Sequence, residues 1–168
     1  PYCEETMTGF EYSFAGLLVS NGMIDEGIEV VKAVRSRYDG EKRNPWNEIE
    51  CGSNYARSMA SFALLPIFAG FTFDMPDNYI GFAPKADSDE FSYFWSLSGA
   101  WGNFIKKDSR IFLNIYEGSL ALSTVGLSFV NNISEVKIDG NGCGFSFEDG
   151  ILHFEKTNIF GSVEIVCE

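Results

Sequence analysis

Histidine is nearly missing from this chain, zinc-type Cys-x-x-Cys pairs are missing altogether, and no apolar run reaches the roughly 18 to 20 residues that cross a bilayer. The one histidine, His153, lies in the apolar alternation "ILHFE", where a strand residue at the surface or core edge is expected. A Ser-based triad is thereby left without a base. The four cysteines (Cys3, Cys51, Cys143, Cys167) are too scattered for a disulfide scaffold. They are expected as buried thiols, with Cys143 and Cys167 the one pair that meeting strands would join. The glycines of "DGNGCGF" lack the Lys-Ser/Thr of a phosphate loop, so no cofactor or metal is expected. Positive charge is scarce as well. Twelve Lys and Arg stand against 24 Asp and Glu, a net charge of −12 that opposes nucleic acid and anionic lipid. "PYCEETMTGF" lacks the basic and apolar regions of a signal peptide, so a cytoplasmic location is expected. Residue 1 is not Met, so a processed product or a piece of a longer protein is expected.

What is present is apolar and aromatic. A hydrophobic share of 45%, with 16 Phe in 168 residues, is that of a folded chain rather than a disordered one. Phe10, Phe14, Leu17 and Leu18 follow the spacing of one helical face, and Asn21-Gly22 supplies a stop. Ile24, Ile28, Val31 and Val34 repeat the pattern to about Tyr38, with acids early and bases late, so a tight helical hairpin is expected. Tyr55, Met59, Phe62, Ala63 and Ile67 predict a third helix, kinked or ended near Pro66.

From Phe71 onward the period changes to short aromatic and β-branched runs bounded by Gly, Asp and Asn. "YIGFAP", "FSYFWSL", "AWGNFIKK", "RIFLNIYEG", "SLALSTVGLSF", "SEVKIDG", "GCGFSFEDGILHFEK" and "FGSVEIVCE" are the predicted strands or hairpins. Asp149-Gly150 is the strongest turn signal. The expected class is α+β: a helical segment over 1–70 followed by an antiparallel β module over 71–168. Two or three short helices cannot cover one another's apolar faces. Either the β half covers them, or they belong to a larger helical assembly and leave a wide apolar surface exposed.

The loop "RYDGEKRNPWNEIECGSNYARSMAS" joins the second and third helices. Arg37, Asp39, Arg43, Glu48, Glu50 and Arg57 bring both signs of charge around Trp46. A charged surface loop held by ion pairs is the plain account. The indole favours a shaped polar surface instead, on which a ring stacks against the apolar face of a sugar while carboxylates and guanidinium groups grip hydroxyls. Glu48 and Arg57 would share a pocket at the third helix's N-terminal end. Glu48 and Glu50 lie too close on one segment to flank a scissile bond from two sides. Trp95 and Trp101 are expected at a hydrophobic junction between the two parts rather than on a binding face.

The run from Thr6 to Leu65, above all "RYDG..RNPWNEIECGS.YARSMAS", resembles the C-terminal part of the catalytic region of glycoside hydrolase family 116, the β-glucosidases and non-lysosomal glucosylceramidases, and its bacterial relatives. The likeness covers residues 4–70 and extends more loosely through "IGFAP" and "FWSLSGAWGNF". It implies that the helices close an (α/α)6 barrel and that the loop lines the site of the non-reducing-end sugar. Matched residue by residue, it implies that Glu48 binds hydroxyls near O4 and O6 and that Arg57 reaches the O6 side. Trp46 and Glu50 join them as binding residues. The family's catalytic nucleophile and acid/base match nothing here, so no catalytic residue is assigned and the isolated chain is expected to be inactive. Its expected partners are a carbohydrate substrate and the remainder of the barrel. Two other readings stand beside it: a carbohydrate-binding or structural β module docked by helices, and an autonomous enzyme pairing Glu48 with Glu4, Glu5 or Glu11.

Overall fold

In the computed structural model, residues 7–42, 44, 58–86 and 88–168 are described. The fold is mixed α+β. The chain divides into two compact units, Pro1–Phe68 and Ala69–Glu168. Among the described residues no helix is long and apolar enough to cross a membrane.

In the first unit α1 (Thr8–Ser20) and α2 (Ile24–Arg37) form the expected hairpin. Gly22 adopts φ +82, a left-handed conformation that glycine takes without a Cβ penalty. Its N–H donates to the Val19 carbonyl at 3.1 Å and the Met23 N–H to that of Leu18 at 3.0 Å. These two bonds form a Schellman stop and turn the chain back on itself.

The packing face of α1 differs from the expected one. Thr8, Tyr12, Ala15, Gly16 and Val19 are buried, whereas Phe10, Phe14 and Leu17 remain 73%, 52% and 60% exposed. Close approach decides this. A Cβ on Gly27 of α2 would lie 2.6 Å from Val19 and 3.0 Å from the Ala15 carbonyl oxygen, and one on Gly16 would lie 2.8 Å from Ile67. Small side chains let the backbones meet beside the buried Tyr12, and Phe10, Phe14 and Leu17 are turned outward. Tyr12, Ala15, Val34 and Leu64 form the small core.

The third helix is broken into α3 (Ser58–Phe62) and α4 (Leu64–Ala69), with the turn at Ala63. Pro66 has no N–H to give the Phe62 carbonyl and its ring crowds that oxygen, so the helix ends at Phe62. Pro66 is then tolerated in the first turn of α4.

The second unit contains β1 (Thr72–Asp74), β2 (Tyr79–Gly81), β3 (Glu90–Ser96), β4 (Ala100–Lys107), β5 (Arg110–Gly118), β6 (Leu120–Gly126), β7 (Ile133–Ile138), β8 (Asn141–Gly142), β9 (Phe145–Glu148), β10 (Ile151–Ile159) and β11 (Ser162–Cys167). All but β1 and the two-residue β8 lie mainly in the predicted runs, with β10 continuing three residues past its run. One sheet has the order β1-β2-β6-β10-β9 and the other β3-β4-β5-β11-β7-β8. The β2–β6 pair is parallel; the other pairs are antiparallel. Ile80, Leu122, Val125, Leu152 and Ile159 of the first sheet share one core with Trp95, Phe104, Leu113, Val136, Val163 and Ile165 of the second. The two inner faces therefore pack as a sandwich.

Asp149 and Gly150 have φ 51 and 75, and Asp139 and Gly140 have φ 48 and 80. Each pair closes a two-residue hairpin whose twist matches its strands. Asp139 also fastens a second turn. Its carboxylate accepts the N–H groups of Phe160 (3.1 Å), Gly161 (2.7 Å) and Ser162 (2.9 Å), which lead into β11. Partial burial pushes the carboxyl up, but the three N–H donors outweigh it and hold it below the usual carboxylate range. The folded state therefore favours the carboxylate. That stability is present above the ordinary carboxylate range and is lost as pH falls through the lowered value. Asp139→Ala is expected to cost the β unit about 1 to 2 kcal/mol at neutral pH, discounted for solvent exposure. Chemical unfolding at pH 7 and pH 3 checks this, with the gap to the native chain narrowing on acidification.

Cys143 and Cys167 are both free, so the pairing left open by the sequence does not occur. Strand β7 lies between β8 and β11 and holds the two cysteines on its opposite flanks. Burial pushes both thiols up, away from thiolate reactivity.

Candidate functional site

The loop after α2 opens with two committed charges. Asp39 accepts the N–H groups of Glu41 (3.0 Å) and Lys42 (2.9 Å), and the Lys42 ammonium lies 3.2 Å away. The Lys42 backbone N–H is the chief cause that holds the Asp39 carboxyl below its usual range. With Gly40 at φ +94, this is a turn built by one acidic side chain. Arg37 Nη2 donates to Glu11 Oε2 across the hairpin, tying the end of α2 to the start of α1. Its Nε is buried without a hydrogen-bond partner among the described residues.

Glu11, one of the acids open to an autonomous enzyme, is therefore engaged by Arg37. Its alternatives Glu4 and Glu5 lie outside the described residues. So do Trp46, Glu48, Glu50 and Arg57, the sugar-binding set expected from the sequence, together with Arg43.

The helical unit presents an apolar surface. Phe10, Phe14 and Leu17 fall at i, i+4 and i+7 and so form one stripe along α1. Phe62 and Leu65 on α3 and α4 are also exposed. Scattered apolar side chains are ordinary on a surface, but large residues aligned on one helical face mark an interaction surface.

In the β unit, His153 is exposed on β10, with Nδ1 3.5 Å from Thr124 Oγ1. That distance is too long for a firm hydrogen bond, and no acid is bonded to the ring among the described residues. It is the surface strand residue the sequence led us to expect. Among the described residues no group of three or more His, Cys, Asp or Glu is placed to hold a metal ion. A recess of about 130 Å³ bordered by Tyr79, Phe82, Gly126 and Gly150 has no charged residue in its lining.

The two tryptophans expected together at a junction separate. Trp95 is fully buried in the β-unit core, whereas Trp101 lies on the outer face of the six-stranded sheet. There its ring centroid is 5.9 Å from that of Phe94 and 5.6 Å from that of Tyr116. Sequence reasoning missed this cluster. Its signal was the aromatic content of both faces of "FSYFWS", which a sheet with one solvated face does not need. No protein-family model matches the chain, and no curated protein sequence matches it.

Proposed function

We propose that the chain is the C-terminal portion of a retaining glycoside hydrolase resembling family 116. In this reading α1 to α4 help to close an (α/α)6 barrel whose other helices, with the nucleophile and the acid/base, lie outside the chain. The supporting observation is the stripe of Phe10, Phe14 and Leu17. The helical unit packs largely through small residues and leaves Phe10, Phe14 and Leu17 exposed, a surface that a neighbouring barrel helix would cover. The substrate would be a β-linked glucoside or similar sugar.

Glu48 would accept hydrogen bonds from the hydroxyls near O4 and O6, and Arg57 would donate to the O6 side. Trp46 offers a ring to the sugar's apolar face, and Glu50 a second acceptor. These contacts fix the ring relative to a nucleophile that displaces the aglycone, which leaves with a proton from the acid. Water then releases the sugar from the resulting ester with retention.

The test is a panel of aryl β-glycosides given to the 168-residue chain and to a longer protein from the same reading frame. No turnover is expected from the chain alone. In the longer protein, Glu48→Gln or Arg57→Ala is expected to lower kcat/KM by about tenfold to a hundredfold, as the loss of a charged hydrogen bond does. Turnover by the short chain that Glu48→Gln abolishes would overturn the reading and make this an independent enzyme. The competing account, a carbohydrate-binding or structural β module docked by helices, draws on the aromatic cluster of the six-stranded sheet.

A further inference from the structure

We propose that the outer face of the six-stranded sheet, at Phe94, Trp101 and Tyr116, is a binding surface for neutral pyranose chains. The inference rests on the β unit alone and does not depend on the glycosidase reading. The three rings are 56%, 42% and 56% exposed and touch in sequence across β3, β4 and β5. Nothing in the sandwich core needs them there.

Backbone irregularity builds the cluster. The β4–β5 register shifts between Trp101 and Gly102, which pairs Trp101 with Glu117 and leaves Tyr116 as the extra residue. Such a bulge re-aims a side chain, here bringing the phenol beside the indole. Gly102 is required at that point, because a Cβ on it would lie 1.8 Å from the Asn114 carbonyl oxygen.

A polar pair adjoins the rings. Asn103 stands opposite Phe94 on one side and Asn114 on the other. Asn114 Nδ2 donates to Asn103 Oδ1 at 2.9 Å. That single bond leaves the Asn103 amide N–H groups and the Asn114 side-chain oxygen without a partner among the described residues. Fixed amides supply both donor and acceptor, which is what a hydroxyl requires.

The ligand class follows from these groups together. A pyranose has an apolar C–H face that lies against the electron-rich face of an aromatic ring, and a rim of hydroxyls for the amides. An anion finds no Lys or Arg among the cluster and its register partners, in a chain of net charge −12. The rings are inclined at 44° and 71° along one open face, so they do not enclose a cation as a cage does.

The test is affinity electrophoresis of the whole chain through gels containing neutral β-glucan, neutral xylan or acidic polygalacturonate, with tryptophan fluorescence read on soluble β-glucan. Retardation by at least one neutral polysaccharide and none by polygalacturonate is expected. Trp101→Ala and Tyr116→Ala are each expected to weaken binding by about tenfold or more, the loss of one stacking ring. Both side chains are surface residues, and unchanged circular dichroism and Tm verify their folds. Asn114→Ala, which keeps every ring, is expected to weaken binding too.

Failure of every neutral polysaccharide to bind overturns the proposal, as does binding that Trp101→Ala and Tyr116→Ala leave intact. Binding lost in Glu48→Gln but kept in Trp101→Ala overturns it in favour of the helical loop. Capture of a proline-rich peptide instead of polysaccharide, or Trp101-dependent dimerisation without glycan binding, also overturns it.

Discussion

Trp95→Ala is expected to remove about 3 to 5 kcal/mol from the β unit, as truncation of a fully buried large aromatic does. Against a typical domain stability of about 5 to 15 kcal/mol, that is enough to leave much of the unit unfolded at moderate temperature. Trp95 is fully buried and is first by size among the fully buried side chains. It lies between the sheets, where a Cβ on Gly102 would come 2.9 Å from its Cζ2. The indole therefore fills space that no neighbour can collapse into without moving β4. Its Nε1 has no hydrogen-bond partner among the described residues. A buried donor without a partner costs about 1 to 3 kcal/mol. Trp95→Phe removes volume and that penalty together, so it should be far milder than the alanine variant. Denaturant midpoints of the two variants measure the difference. A Phe variant that loses stability in proportion to its smaller lost volume, with no offset, would show that the ring nitrogen is not a burden.

The same residue shows where the sequence was readable and where it was not. In "FSYFWSLSGAWGNF" aromatics occupy both faces of β3, so alternation located the strand without saying which ring points inward. Trp95 and Trp101 look equivalent in the sequence; pairing with β5 and the bulge at Gly102 separate them. Most β strands were legible because a period of two and the Asp-Gly turn act locally. β1 escaped because three exposed residues carry no pattern. In α1 the stop at Asn21-Gly22 was legible but the buried face was not. Hydrophobic periodicity weights Phe and Leu, whereas the contact was set by Ala15, Gly16 and Gly27, whose value is their smallness. Of the charged loop, Arg37 and Asp39 turned out to do local structural work that composition could not separate from binding.

Replacing Phe10, Phe14 and Leu17 together with glutamine is expected to affect this chain and a complete barrel in opposite ways. In the chain alone the three side chains are already largely in water, and glutamine is a good helix former. Helix content should hold, and self-association and binding of an apolar dye should fall. In a longer protein from the same reading frame, a neighbouring helix would cover the stripe. Full burial of one such side chain contributes about 1.5 to 3 kcal/mol. Counting only the fraction of each that this chain leaves exposed, loss of all three amounts to roughly 3 to 6 kcal/mol, plus the cost of burying polar amides. Glycosidase activity and the thermal transition should then be lost together, although none of the three residues is proposed to touch the sugar. Tm and turnover of the longer protein with and without the three changes decide the matter. If both are unaffected, the stripe faces solvent in the complete protein as well. The barrel reading would then lose the observation that supports it, and the β unit's aromatic face would become the better guide to what this protein binds.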